Sequence, residues 1–457
     1  YGSTPTGGML KYGVQGGEMT TLQAAVAPTS SEGWYKNTVT LTGLQSNTTY
    51  EYAVSADKDE AHYGETKTYT TQTFGKDEPY TFLVFGDPQI GCSGSIGRQV
   101  AEVVREHPAH FCFSALIGGR DQAALSALAE EFRPAFAGLA EGGEVALPEG
   151  TRLLRGDEIL EHAFDGADVA LIAAGGFAGL AYTLRAARLG LKIALANKES
   201  LVCGGELVIN AVNKSGSDLV PVDSEHSALF QALSFRRDMP FEKLILTASG
   251  GPFFRLGEEE LKRVKAIDAL RHPTWKMGPK ITIDSATLLN KGYEVIEAKW
   301  LYGAPFERIE AVVHPESIVH SLVSFRDGAM MAQLGYPDMK LPIQLALTYP
   351  ERLPCVRELD LVSLGALHFY PLPKEKFPCY SLALAAGKEG GTAPTVLNAA
   401  AEVAVHAFLQ DAIVFPRIAE IIEAALSAFA REDVTSFEQL AAVDARARSF
   451  ARNVIYD

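Results

Sequence analysis

Apolar and polar positions follow two different rhythms along this chain, and the rhythm changes near residue 86. Over residues 1–85 the runs are short and alternate, as in NTVTLTGL, TTYEYAVSA and ETKTYTTQT, with turn-rich stretches such as LQSNT and ADKDEAH between them. Short alternating runs at this spacing predict a small antiparallel β-sandwich. After residue 97 the apolar runs become nearly continuous. FCFSALI, DVALIAAG, KIALANK and LVPVDS read as strands, with helical patterns around 121–139, 178–189 and 204–215. Strands that are apolar on both faces and joined by helices predict a parallel sheet covered on both sides. From about residue 374 the pattern is wholly helical, which predicts a C-terminal bundle. The span 349–373, with Pro350, Pro354, Pro371 and Pro373, predicts an extended linker. The fold class is therefore α/β. The expected domains are 1–85, 86–222, 223–348 and 374–457, with 349–373 between the last two.

Composition narrows the class of function. A chain of 457 residues accommodates about three or four domains. With 47% hydrophobic and 21% charged residues it has the make-up of a soluble globular protein. No apolar run reaches the roughly 18 residues of a membrane helix, so no membrane partner is expected. The formal charge of −15 argues against a nucleic-acid partner, though not against a small anionic substrate held by local cations. The five cysteines, at 92, 112, 203, 355 and 379, form no CxxC pair. Sparse, unpaired thiols predict a cytoplasmic protein.

Candidate chemistry begins at DPQIGCSGSIG, residues 87–97. Gly91, Gly94 and Gly97 precede a helical pattern, and such glycines let backbone amides approach a pyrophosphate at a helix N-terminus. A plain loop can show the same spacing. The next strand ends at Gly118-Gly119-Arg120, where Arg120 could pair with a 2′-phosphate and favour NADP over NAD. At LANKES, a strand runs straight into Asn197, Lys198 and Glu199 at its C-terminal end, where open parallel sheets bind ligands.

Further on, PVDSEHS places Asp223 and Glu225 two apart in an extended segment, so both carboxylates point the same way. Like charges this close need a proton or cation between them, and oxygen donors favour Mg²⁺ or Mn²⁺ over zinc. In IDSATLLNKGYEVIEA, Ser285 is a candidate N-cap for the next helix, on which Asn290, Lys291 and Glu294 share a face. Asn, Lys and Ser hydroxyls suit a phosphate, and Glu294 suits a third metal carboxylate. A solvated Lys291–Glu294 pair would explain the same face. Ser249, in TASGGPF, adds a hydroxyl, and Trp275, in HPTWKMG, suits a lid over a substrate.

GCSGSIGRQV, LANKES, PVDSEHSALFQ, TASGGPF, RHPTWKMGPKITIDSATLLNKGYEVIEA, VHPESIVHS and QLGYPDMKLPIQLAL follow one another in order. From about residue 90 onward the chain resembles the 1-deoxy-D-xylulose 5-phosphate reductoisomerases of the non-mevalonate isoprenoid pathway. The resemblance implies a Rossmann-like NADPH domain, an α/β catalytic domain with a mobile lid, a C-terminal helix bundle and a homodimer. It implies that Asp223, Glu225 and Glu294 hold Mg²⁺ or Mn²⁺. Lys198, Glu225 and His272 would be catalytic, with Lys198 and Ser224 near the reacting centre. Ser249, Ser285, Asn290, Lys291 and His272 would bind the phosphate of a small sugar substrate. Trp275 and Met277 would lie on the lid, with His320 nearby. Gly91, Ser93, Gly94, Ser95, Ile96, Gly97, Gly119, Arg120, Asn197, Glu199 and Gly278 would meet NADPH. The implied reaction rearranges the carbon skeleton by retro-aldol cleavage and re-addition, then reduces an aldehyde to give 2-C-methyl-D-erythritol 4-phosphate.

The leading segment resembles something else. TVTLTGLQSNTTYEYAV and YTFLVFGDPQIG are similar to the fibronectin type III-like N-terminal β-domain of purple-acid-phosphatase-like metallophosphoesterases, with Asp87 as a first metal ligand. No Gly-Asn-His element follows anywhere in the chain, and a lone Asp cannot build a two-metal site. A phosphoesterase-related fusion, an appended binding module and an inactive chimera are the alternatives. The reductoisomerase turn also needs a first strand before it, and only the run Thr81–Phe85 is available to supply one.

Overall fold

The computed structural model describes residues 8–456 except 29–34, 40, 42–44, 46–47, 56–62, 64–65, 71–79, 86–94, 142, 236–238, 271–273 and 276. The chain divides into two compact units, residues 1–80 and 81–457. In the first, β1 (Met9–Val14), β2 (Thr20–Gln23), β3 (Ala25–Pro28), β4 (Tyr35–Thr38), β5 (Thr49–Ser55) and β6 (Lys67–Thr70) make two antiparallel sheets. One has the order β2-β1-β5-β6, and the other pairs β3 with β4. Tyr12 and Tyr50 are diagonal neighbours across β1 and β5, and their ring centroids lie 6.4 Å apart.

The second unit opens with a seven-stranded sheet. Its strands are β7 (Tyr80–Phe85), β8 (Phe111–Gly118), β9 (Phe136–Leu139), β10 (Arg152–Leu154), β11 (Val169–Ile172), β12 (Lys192–Leu195) and β13 (Leu219–Pro221). Their order is β10-β9-β8-β7-β11-β12-β13. β7 runs parallel to β11, with Phe82 opposite Val169 and Phe85 opposite Ile172. The run YTFLVF therefore fills the centre of this sheet, although the change of pattern near residue 86 assigns it to the leading domain. Its continuous apolar character suits a strand covered on both faces better than an alternating sandwich strand. Strand order reverses at β7, so the crevice beyond the C-terminal ends of β7 and β11 is a topological switch point.

Around this sheet lie α1 (Ser95–Glu106), α2 (Gln122–Phe132), α3 (Glu158–His162), α4 (Gly179–Arg188) and α5 (Glu199–Ser215). The helix expected over 121–139 ends at Phe132, because Arg133 turns left-handed and Pro134 cannot continue it. The same stretch then forms β9. α5 begins five residues before the expected start, and Gly204 kinks it with φ −124° and ψ 23°. At Gly205 an added Cβ would lie 2.3 Å from the Trp300 ring, so glycine sets how closely α5 meets the helix carrying that tryptophan.

α6 (Ser224–Ala232) leads into a second sheet of β14 (Lys243–Ala248), β15 (Ile309–Val313), β16 (Val319–Ser324), β17 (Met330–Leu334) and β18 (Tyr370–Pro371). Its order is β17-β16-β14-β15-β18. Between β14 and β15 run α7 (Glu258–Leu261), α8 (Ala266–Ala269), α9 (Pro279–Ala286) and α10 (Leu289–Tyr302), and α11 (Lys340–Thr348) follows β17. The expected linker 349–373 is mostly irregular but holds α12 (Leu361–Leu364) and β18, whose Tyr370 and Pro371 pair with Val313 and Val312. Four helices close the chain: α13 (Pro378–Glu389), α14 (Ala393–Leu409), α15 (Arg417–Ala428) and α16 (Phe437–Tyr456). One apolar cluster extends from Ala115 to Ala451, with Tyr293, Phe377 and Phe408 among its largest fully buried side chains.

Candidate active site

The cavity of about 940 Å³ opens where the switch point predicts. Ile96 and Gly97 of α1, Ala173 to Gly176 after β11, and Ala196 to Glu199 after β12 line one side. Asp223 to Glu225, Thr247 to Gly250, and residues of α9 and α10 line the other. Ligands in open α/β sheets bind beyond the strand C-termini, and here both sheets direct those ends at one space.

Three carboxylates converge inside it. Each of Asp223, Glu225 and Glu294 offers an oxygen within 4.8 Å of the others, a grouping able to hold a metal ion. Asp223 caps α6: its carboxylate accepts from the backbone N–H of Glu225 at 3.1 Å and of His226 at 3.4 Å. Glu225 sits in the first turn of α6, where its charge also suits the helix dipole; the pair is therefore not in the expected extended segment, because β13 ends at Pro221 and the Asp223 cap starts a helix at Ser224. Glu294 projects from α10, one turn after Asn290 and Lys291. Two lysines fill the space between these acids. Lys198 Nζ donates to Asp223 Oδ2 at 2.9 Å and Asn290 Oδ1 at 2.6 Å, and lies 3.3 Å from Glu294 Oε1. Lys291 Nζ donates to Glu225 Oε1 at 2.8 Å and also to Glu294 Oε2. The Ser224 hydroxyl donates to Glu225 Oε2. The solvated-pair explanation of Lys291 and Glu294 fails, since both are buried.

Burial and mutual repulsion govern the charges. Glu294 is pushed up to about 7, by burial first and by the neighbouring Glu225 carboxylate second. Burial alone would raise Asp223, but Lys198, His226 and Lys291 outweigh it and hold the carboxyl well below its usual range. Burial likewise opposes the charge on Lys198, yet Asp223, Glu294 and Glu297 raise it well above its ordinary value. Behind this layer His226 Nε2 lies 3.3 Å from Glu297 Oε2, an electrostatic contact without hydrogen-bond alignment. With all groups ionised, three carboxylates against two ammonium groups leave one negative charge. A divalent cation would reverse that sign, and an all-oxygen donor set fits Mg²⁺ or Mn²⁺.

The other expected residues fall into three groups. Ser249, Trp275, Met277, Gly278, Ser285, Asn290 and His320 line the same cavity. Trp275 meets the His320 ring edge-on at 6.0 Å, and His320 Nε2 lies 3.2 Å from the Gly335 carbonyl. Ser285 is not the N-cap of α10. Gly278 and Pro279 start α9 earlier, which puts Ser285 inside that helix, and left-handed Leu288 precedes α10. A second group lies apart from the cavity lining. Gly119 follows β8, and the exposed Arg120 guanidinium pairs with Glu141 Oε2 at 2.7 Å. Asp121 beside it caps α2. The third group, Gly91, Ser93, Gly94 and His272, lies outside the described residues, and Ser95 opens α1.

Asn197 and Glu199 border the cavity, but their polar groups are largely engaged. Asn197 Nδ2 donates to the carbonyls of Ala174 at 2.7 Å and Gly176 at 3.0 Å, and to Glu199 Oε2 at 2.9 Å. Sequence reading missed Glu402, His406 and Leu409, which reach the cavity from α14. They sit in an alanine-rich helical run that carries no local sign of a site.

Comparison with known proteins agrees with this geometry. Residues 89–205 match the family model "1-deoxy-D-xylulose 5-phosphate reductoisomerase", and 219–302 and 334–450 match two models of its C-terminal domains. The 1-deoxy-D-xylulose 5-phosphate reductoisomerase of Geobacillus sp. (strain WCH70) is 48% identical over 375 residues, 80% of this chain and 98% of that protein. The one from Geobacillus kaustophilus is 49% identical over the same shares. The Zymomonas mobilis enzyme, solved in complex with NADPH, superposes with a TM-score of 0.74 at 37% identity, covering 83% of this chain and 99% of that one. A reductoisomerase solved with NADPH, fosmidomycin and magnesium superposes at 0.76, also with 37% identity, covering 82% and 98%. The chain belongs to the 1-deoxy-D-xylulose 5-phosphate reductoisomerase family.

Proposed function

We propose that this protein converts 1-deoxy-D-xylulose 5-phosphate to 2-C-methyl-D-erythritol 4-phosphate, using NADPH and Mg²⁺ or Mn²⁺. The observation that carries the reading is the convergence of Asp223, Glu225 and Glu294 beside Lys198 and Lys291, in one cavity with Ile96 and Gly97 of α1 and the turn after β11. Asp223, Glu225 and Glu294 would hold the metal, and the β7–α1 and β11–α4 turns would take NADPH. The metal supplies Lewis acidity toward the substrate oxygens, and NADPH supplies a hydride. Lys198 is held charged beside the reacting oxygens and stabilises negative charge that develops there. Asn290 fixes the Lys198 ammonium, and Lys291 with Ser249 and Ser285 draws the remote phosphate, whose binding orients the carbon skeleton. Trp275 and Met277 exclude water above it. Oxidation of NADPH, followed at its absorbance band with the deoxyxylulose phosphate and Mg²⁺, tests the reading. No oxidation with either metal overturns it.

The reading includes a homodimer in the cytoplasm. The edge strand β17 supports the dimer, since it leaves Met330 and Met331 more than half exposed. No helix among the described residues is long and apolar enough to cross a membrane. For the leading unit before β7 the proposal keeps only a sandwich of short antiparallel strands. The metallophosphoesterase chemistry has no support: Asp87 lies outside the described residues, and its partner motif does not occur.

A further inference from the structure

A second buried polar cluster lies beside the carboxylate centre and takes no part in the reaction described above. Lys280 is the second residue of α9, two after Gly278, and like it lines the cavity. Its Nζ donates to Glu199 Oε1 at 3.1 Å and to Asp284 Oδ2 at 2.8 Å. It also lies 5.8 Å from the Tyr293 ring centroid. Glu199 passes the connection on through Oε2 to Asn197, whose amide ties down the carbonyls of Ala174 and Gly176. Asn197 Oδ1 accepts from Ser200 N–H at 2.9 Å, so the amide orientation is fixed from both ends. One ammonium group thus joins α9, which carries Ser285, to the two strand-end turns that border the cofactor side.

We infer that Lys280 is a positioning residue that couples the cofactor side of the cavity to the phosphate side. The inference rests on the function proposed above. Lys280 is well placed for this role because its ammonium group is paired with two buried carboxylates that come from different elements, Glu199 of α5 and Asp284 of α9. A neutral residue here leaves Glu199 and Asp284 buried without their cation, and Asp284 Oδ1 already has no partner. The strand-end turns and the start of α9 would then shift independently. Binding of NADPH would no longer prepare the phosphate side, and binding of the phosphate would no longer order the cofactor side.

The test compares Lys280→Met, Lys280→Arg, Glu199→Gln and the Lys280→Met/Glu199→Gln double variant in the full chain. Thermal unfolding is measured alongside KM for NADPH, KM for the deoxyxylulose phosphate, and kcat. Lys280→Met is expected to raise both KM values by roughly tenfold, the scale of one buried charge-assisted hydrogen bond, with kcat changed by less than about threefold. Lys280→Arg should recover most of the loss, and the double variant should be no worse than the poorer single one. Both KM values staying near wild type, a fall confined to kcat, or additive effects would each overturn the coupling. Should Lys280→Met not fold, Glu199→Gln removes the negative charge from the same contact and decides alone. An inactive wild-type chain instead sinks the proposed function, and the inference with it.

Discussion

Lys198 Nζ lies 2.9 Å from Asp223 Oδ2 although 25 residues and a helix separate the two in sequence. The pair joins the end of β12 to the cap of α6, and each side chain is nearly buried. In the absence of a metal, lysine is the cation that makes this acidic cluster tolerable. Removing it should therefore matter most when no metal is present. Lys198→Met is expected to lower stability by about 3 kcal/mol without metal, because buried carboxylates lose their partner. Saturating Mg²⁺ should restore more Tm to this variant than to the wild type. Equal losses with and without Mg²⁺ in thermal scans would refute the argument.

Glu294→Gln keeps the shape of the side chain and removes one anionic donor. Turnover at saturating Mg²⁺ or Mn²⁺ is expected to fall by at least about 100-fold. Steady-state assays across metal concentrations check this, and near-normal kcat would show that Glu294 is not a ligand.

Acidity gives a separate handle on the same residue. The Glu294 carboxyl is raised to about 7 in the folded chain, above its ordinary value of 4.5. Without metal, its contribution to stability is thus fully present below that ordinary value and is lost as pH rises through about 7. A metal needs the ionised form, so affinity should climb with pH until about 7 and level off above it, with proton release below. Asp223, held low, stays ionised throughout and adds no slope in this window. Titration calorimetry with Mn²⁺ in buffers of different ionisation enthalpy reads both quantities, and a flat profile would contradict the assignment.

Two truncations separate the leading unit from the strand it lends. Deleting residues 1–79 leaves β7 in place and should preserve cooperative unfolding and NADPH binding. Deleting 1–85 removes the strand opposite Val169–Ile172, splits the sheet, and should abolish both. NADPH binding by the shorter chain at full-length affinity would show that β7 is dispensable.

Gly179 opens α4 where any side chain would collide with Asn197. An added Cβ would sit 2.3 Å from Asn197 Oδ1. Gly179→Ala should displace that amide, free the Ala174 and Gly176 carbonyls, and raise KM for NADPH by roughly tenfold, at a stability cost of about 1–3 kcal/mol. Unchanged cofactor affinity would place the Asn197 bonds outside cofactor recognition.

Local pattern determined a good deal of this protein. The doubly covered sheet follows from the continuous apolar strands and the bundle from the helical run after 374, whereas the acidic pair of Asp223 and Glu225 was legible as residues but meets at a helix N-terminus and not along a strand. The order of intact motifs carried the family. Tertiary structure decided what depends on distant partners. YTFLVF reads locally both as the end of the leading domain and as the run available for the next domain's first strand, and its pairing with β11 decides for the second. Glu294 and Lys291 read as well as a surface ion pair as a binding site until α10 packs against α5 and buries them. Lys280 looks like an ordinary helix lysine, and Glu402 an ordinary helix glutamate. Both reach the cavity where α9, α14 and the strand ends meet, and no short-range pattern encodes that meeting.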